Sequence, residues 1–151
     1  MIIYRIGNAA YAKDLTGNGA KLNGGRWNNI SVPCVYTAES RALAILEYSA
    51  NVPLSAILRA LAMTTIDTGR TVIQELSVAD LPGDWRVSPA PASAKDLGSK
   101  LLKKMEVAII KIPSIIIPEE FNYILNPSHP DAKQFRIVGV KVFVYDIRIK
   151  K

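Results

Sequence analysis

The sequence predicts an α+β fold, a single compact domain built on a mixed, mainly antiparallel sheet, and three observations lead there. Short apolar runs bounded by proline, glycine and asparagine recur along the chain. Only two segments repeat their apolar residues at clear helical spacing. The chain has 151 residues, 49% of them hydrophobic, with no internal repeat and no low-complexity linker. That length suits one domain, residues 1–151, burying roughly two thirds of its unfolded surface.

The elements follow in order. Residues 1–6 (Met-Ile-Ile-Tyr-Arg-Ile) read as a first strand, and residues 8–29 as a long polar loop with several glycines, a kind of segment that more often carries function than not. Pro33-Cys34-Val35-Tyr36-Thr37 is a short apolar strand with Tyr36 near its end. Ser40 is an N-cap for a helix whose apolar residues Ala42, Leu43, Ile45 and Leu46 carry Glu47 about two turns in. Residues 53–65 mix alanine-rich composition with alternation through Leu54, Ala56 and Leu58, and a strand is expected there. Residues 71–76 form another strand, 80–91 a proline and glycine turn region around Trp85, and 93–105 an amphipathic helix with Leu97, Leu101, Leu102 and Met105 as its apolar stripe. Residues 107–112 are a buried strand that Pro113-Ser114 interrupts, and Ile115 to Ile117 resume the apolar run. Residues 122–125 add a short strand, 126–131 a turn, and 135–149 alternate like one or two closing strands.

Composition excludes some functions. No run of eighteen apolar residues is present, and the first residues lack the ordered regions of a signal peptide, so the expected setting is the cytoplasm, with no membrane partner. One cysteine, Cys34, sits in an apolar strand where it reads as core rather than as a reactive thiol. Neither zinc spacing nor a calcium loop occurs, so no metal is expected. The formal net charge is +6, yet only Lys100, Lys103 and Lys104 and the tail Arg148, Lys150 and Lys151 cluster. Solvated faces explain them better than a phosphate-backbone footprint, so direct nucleic-acid binding is not the expected function.

A tight glycine turn ahead of Arg26, a tyrosine at a strand end and a carboxylate on the next helix together suggest a small enzyme acting on a nucleotide. The residues also carry a family resemblance. Tyr4-Arg5-Ile6, Gly24-Gly25-Arg26-Trp27-Asn28, Val35-Tyr36-Thr37-Ala38-Glu39-Ser40, Leu46-Glu47, Ile112-Pro113-Ser114 and the run from Asn122 to Asp131 together resemble the RES domain family, in order and over nearly the whole chain. The resemblance implies a fold similar to ADP-ribosyltransferases and a toxin of a bacterial toxin–antitoxin pair. It further implies NAD+ as substrate, with no separate cofactor, and neutralisation by an Xre-like helix-turn-helix antitoxin. The family's arginine, glutamate and serine fall on Arg26, Glu47 and Ser114, and Tyr36 matches a further active-site tyrosine. Arg5 is a second candidate arginine and Glu39 a second carboxylate.

The chemistry of that substrate gives each residue an expected task. Breaking the bond between nicotinamide and ribose leaves positive charge on the sugar, which a carboxylate stabilises as it develops; Glu47, four residues beyond Leu43 on the apolar side of its helix, is the candidate. A pyrophosphate is matched by the fork of a guanidinium, from Arg26 and with Arg5 as a second contact. Tyr36 offers a flat face to the nicotinamide ring. Ser114 would bond a ribose hydroxyl or position the nucleophile. Asn122 and Asn126 would cap loops near the pocket or bond backbone groups, with Asn126 placed in the binding set, and His129 in its proline-flanked turn is structural. The acceptor of the sugar could be water, phosphate or a protein side chain. A basic binding module without catalysis is the reading from another class, recognisable by salt-dependent binding to duplex DNA.

Overall fold

The computed structural model describes residues 1–57 and 60–150. Leu58, part of the alternation expected after Pro53, and Lys151 of the basic tail lie outside the described residues. Among the described residues seven strands make one sheet: β1 (Ile2–Asn8), β2 (Val35–Ala38), β3 (Leu61–Asp67), β4 (Ile73–Glu75), β5 (Ile109–Pro113), β6 (Phe121–Leu125) and β7 (Arg136–Phe143). Their order is β4-β5-β6-β2-β1-β3-β7. Only β4 and β5 run parallel; every other neighbouring pair is antiparallel, as the sequence predicts. Among the described residues three α-helices complete the domain, α1 (Asn18–Asn23), α2 (Arg41–Asn51) and α3 (Ala92–Lys104). None of the described helices is long and apolar enough to cross a membrane.

Strand periodicity sorts the side chains of β1. Ile3 is fully buried in one core cluster with Ile66 and Leu125, while Tyr4 and Ile6 pack on the other face against Leu43 and Ala44 of α2. That alternation also turns Arg5 away from α2. Helix α2 starts where the sequence places it, because the Ser40 hydroxyl accepts the Leu43 N–H at 3.0 Å and satisfies one of the helix's unpaired donors. A third cluster joins both tryptophans, Trp27 and Trp85, to Ala94 and Leu102 of α3 and to Ile110, Ile112 and Ile124 of the sheet.

Several elements differ from expectation. The polar segment 8–29 contains α1 and a 3-10 turn at Ala9–Tyr11 whose end Asn8 caps. The segment after Pro53 begins as a 3-10 turn at Leu54–Ala56, and the strand starts only at Leu61. Ile115 to Ile117 do not extend β5, because backbone N–H groups there turn back onto Ser114. Met105 leaves the apolar stripe of α3: it adopts the left-handed conformation (φ 58°) that ends the helix, and it is exposed. Of the one or two closing strands expected over residues 135–149, the described residues form one, Arg136–Phe143.

Helix α3 touches the segment before β2 at backbone distance. Gly98 faces the Trp27 carbonyl group, and a Cβ at position 98 would collide with that oxygen and lie 2.7 Å from its carbon. Glycine here is required by approach, since the helix would otherwise prefer alanine by about 1 kcal/mol. Gly98→Ala is therefore expected to lower the unfolding free energy by about 1–3 kcal/mol in urea titration, the cost of overpacking. A gain in stability, which propensity alone would give, would contradict the contact.

Candidate active site

A cavity of about 720 Å³ opens between α2, the adjoining stretches of β1 and β2, and the segment 19–27, with Pro113, Ile115 and Asn122 on its far wall. Its size falls within the range of small-molecule sites. Glu47, Arg26 and Tyr36 all line it.

The arginine arrives on a tight turn. Gly25 and Asn28 bridge one another, the Gly25 N–H donating to the Asn28 carbonyl at 3.1 Å, so Arg26 and Trp27 occupy the bend. Tyr36 holds this turn from β2: its hydroxyl accepts the Trp27 N–H at 2.9 Å and donates to Asn28 Oδ1 at 2.7 Å. Buried Asn28 in turn donates to the Ala20 carbonyl of α1 at 2.8 Å and the Val32 carbonyl at 2.9 Å. The next residue ties the turn to α3, with the Asn29 N–H on Ser99 Oγ at 2.8 Å. A Cβ on Gly25 would sit 2.7 Å from the Tyr36 hydroxyl, which is why glycine stands before the arginine. Burial pushes the Tyr36 phenol well above its usual range, Cys34 adding to the effect and the Trp27 N–H opposing it. The Tyr36 hydroxyl is therefore a protonated tether at neutral pH.

The Arg26 guanidinium leans on the turn after Trp85, donating through Nη1 to the carbonyls of Trp85 at 3.1 Å and Val87 at 2.8 Å. No partner for its Nε or Nη2 is found among the described residues. Burial lowers its pKa, and the charge of Glu47 pulls the other way, so the two groups sense one another across the cavity. Glu47 is fixed from the sheet side. Ser114 Oγ donates to Glu47 Oε1 at 2.6 Å, and Asn122 Nδ2 donates to the same oxygen at 2.8 Å.

The arginine, glutamate and serine named from the sequence are thus brought together, although Ser114 itself is wholly buried behind the carboxylate. Two expected residues are not. Arg5 borders the cavity, but its guanidinium donates to the carbonyls of Asp14 at 2.7 Å and of Tyr11 and Ala12 at 3.0 Å, fastening the loop on the opposite face of the sheet. The period of β1 dictates this, since its neighbours Tyr4 and Ile6 face α2. Asn126 is buried beneath the end of α3, donating to the Leu102 carbonyl at 2.9 Å and accepting from Ser128 N–H at 3.2 Å, so it caps a helix rather than lining the cavity. Asn122, which turn chemistry alone could explain, is the asparagine in the site. Its place in a run of strand residues beside Tyr123 was the available signal. Glu39 bonds the Phe121 N–H at 3.1 Å and does not line the cavity. His129 caps the turn that follows it, Nδ1 accepting from the Asp131 N–H at 3.0 Å. Cys34 is buried, and burial raises its thiol to about 12, with the nearby Tyr36 side chain acting the other way.

Comparison with known proteins adds a family. A model of the RES domain matches residues 2–147. The chain is 39% identical over 146 residues to a Sphingobium sp. protein described as "Prs ADP-ribosylating toxin", the match covering 91% of this chain and 88% of that one. It is 36% identical over 136 residues to "Toxin Res" of Photorhabdus laumondii, covering 89% of this chain and 87% of the relative. Among solved structures it resembles a chain of the M. tuberculosis MbcT–MbcA toxin–antitoxin complex, with a TM-score of 0.78 and 18% identity over 95% of this chain and 84% of that one. At that identity the likeness is one of fold.

The tether of the arginine turn is open to a direct test. Tyr36→Phe removes one hydroxyl and leaves both the Trp27 N–H and Asn28 Oδ1 without their partner, which is expected to cost about 1–3 kcal/mol of stability by chemical denaturation. A neutral result, normal for an exposed tyrosine, would contradict the tether.

Proposed function

The chain belongs to the RES domain family, and from that premise we propose that it is the toxin of a toxin–antitoxin pair and an enzyme that breaks the nicotinamide–ribose bond of NAD+. The observation that carries this reading is the anchored Glu47 carboxylate on a cavity wall shared with the Arg26 guanidinium. In the proposed reaction the bond between ribose carbon and ring nitrogen breaks, its electron pair leaves with neutral nicotinamide, and positive charge appears on the sugar. Glu47 stabilises that charge electrostatically in a partly buried site, where it counts for more than in water. The free edge of Arg26 takes the pyrophosphate, and the face of Tyr36 in the cavity supports the nicotinamide ring. Water then adds to the sugar carbon and releases a proton, or inorganic phosphate adds as an anion.

Transfer of the ADP-ribose group to a protein side chain is the second reading, and the Sphingobium relative, described as an ADP-ribosylating toxin, favours it. Both readings share bond cleavage and differ only in acceptor. The setting we propose is the cytoplasm, and the partner a helix-turn-helix antitoxin that covers the cavity or inserts a segment into it; adding such a partner would lower the rate in a mixing assay.

Chromatography of NAD+ after incubation with the purified protein is the decisive measurement, run with and without inorganic phosphate and with labelled dinucleotide in the presence of cell protein. Nicotinamide should appear in every arm, with the ADP-ribose label in small products for hydrolysis or phosphorolysis and on macromolecule for transfer. Glu47→Gln and Arg26→Ala should each lower nicotinamide release at least about 100-fold, the scale of removing a preorganised electrostatic contact. Intact NAD+ in all arms, or full activity in both variants, would refute the proposal.

A further inference from the structure

We propose that Asn122 and Ser114 are positioning residues that decide which oxygen of Glu47 meets the substrate, and that Ser114 does not touch the substrate at all; this rests on the role given to Glu47 above. The argument starts from the valence of a hydroxyl, which offers one donor and two acceptor sites. Ser114 Oγ accepts the Ile116 N–H at 3.1 Å and the Ile117 N–H at 3.2 Å, so both of its acceptor sites are committed to its own turn. One proton remains, and the oxygen 2.6 Å away is Glu47 Oε1. The direction of that bond is therefore fixed. The side chain is 0% exposed and is not among the residues lining the cavity, which leaves it no route to a ribose or a nucleophile.

Asn122 reaches the same oxygen from a different element. It sits on β6 between Ala38 of β2 and Ile112 of β5, and its amide donates to Glu47 Oε1 at 2.8 Å. Unlike Ser114, it also lines the cavity. The terminal torsion of a glutamate is broad and nearly two-fold, so the helix alone does not choose an oxygen. Two donors on Oε1 make the choice: Oε1 is committed to the sheet, and Oε2, for which no partner is found among the described residues, is the oxygen presented to the sugar. Both donors are backed by regular structure, which holds the carboxylate in place before substrate arrives and removes reorganisation from the reaction step.

The test is a set of steady-state measurements of nicotinamide release. Ser114→Ala and Asn122→Ala should each lower kcat about 10- to 100-fold, the range for losing a hydrogen bond to a charged group, with KM changed by less than about twofold. Introduced into a Glu47→Gln background, neither substitution should lower the residual rate further, because the negative charge they orient towards the sugar is already gone. A purely structural weakening would reduce the residual rate in that background as well. A raised KM in Ser114→Ala would place the serine on the substrate, and losses that add to Glu47→Gln would show that the two residues act on something other than the carboxylate; either result overturns the proposal. A wild-type protein that releases no nicotinamide sinks the activity instead. The clamp is then judged by unfolding of the single and paired Ala variants at positions 47, 114 and 122, where coupling supports it and simple additivity overturns it.

Discussion

A carboxylate on the apolar side of a helix must be matched by donors, since a half-buried charge with no hydrogen bonds is costly. In this domain the match comes from the sheet: Ser114 at the end of β5 and Asn122 on β6 both donate to one oxygen of Glu47. Much else is arranged around that interaction. It lies beside the apolar seat of α2 over β1 and β2, where Leu43 and Ala44 pack against Tyr4, Ile6 and Ala38. The sharp turn after Pro113 completes the arrangement, because the Ile116 and Ile117 N–H groups fill the acceptor sites of Ser114 while its proton goes to the acid.

The cationic side of the cavity is built on another principle. Arg26 stands on a turn that belongs to no regular element, and its order is borrowed from three neighbours: the hydroxyl of Tyr36, the carbonyl of Ala20 through Asn28, and the Ser99 hydroxyl of α3. Two glycines let these neighbours come close. Gly25 gives room to the Tyr36 hydroxyl and Gly98 to the Trp27 carbonyl. The aromatic and apolar mass of Trp27, Trp85 and Leu102 then closes over the turn. A loop whose neighbours are locked in this way can hold a guanidinium in one place although it is no regular element.

What could be read from the sequence was whatever local chemistry decides. The cap at Ser40, the helical placing of Glu47 and the oddity of Ser114 within an apolar run all depend on neighbours within a few residues. The mainly antiparallel sheet was legible for the same reason, from runs broken by turn residues. Distance across the fold was not. Asn122 and Asn126 are alike in kind and four residues apart, yet one holds the acid and the other caps α3, a difference set by where the Leu102 carbonyl happens to end. Arg5 could have been placed by alternation alone, because the apolar neighbours on either side had to face a helix. The short α1 leaves no local signal, since a glycine, not a serine or aspartate, precedes it, and neither does the left-handed turn at Met105, since that conformation usually selects glycine or asparagine.

Cys34 carries one more consequence. With its thiol raised to about 12 by burial, almost none of it is ionised at neutral pH, and the ionised form is the one that attacks disulfides and peroxide. The chain's only sulfhydryl is thus withheld from oxidants and alkylating reagents for as long as the fold stays closed. Catalytic output should not register the redox state of its surroundings, and a burst of thiol labelling would report the opening of the domain rather than any event in the cavity.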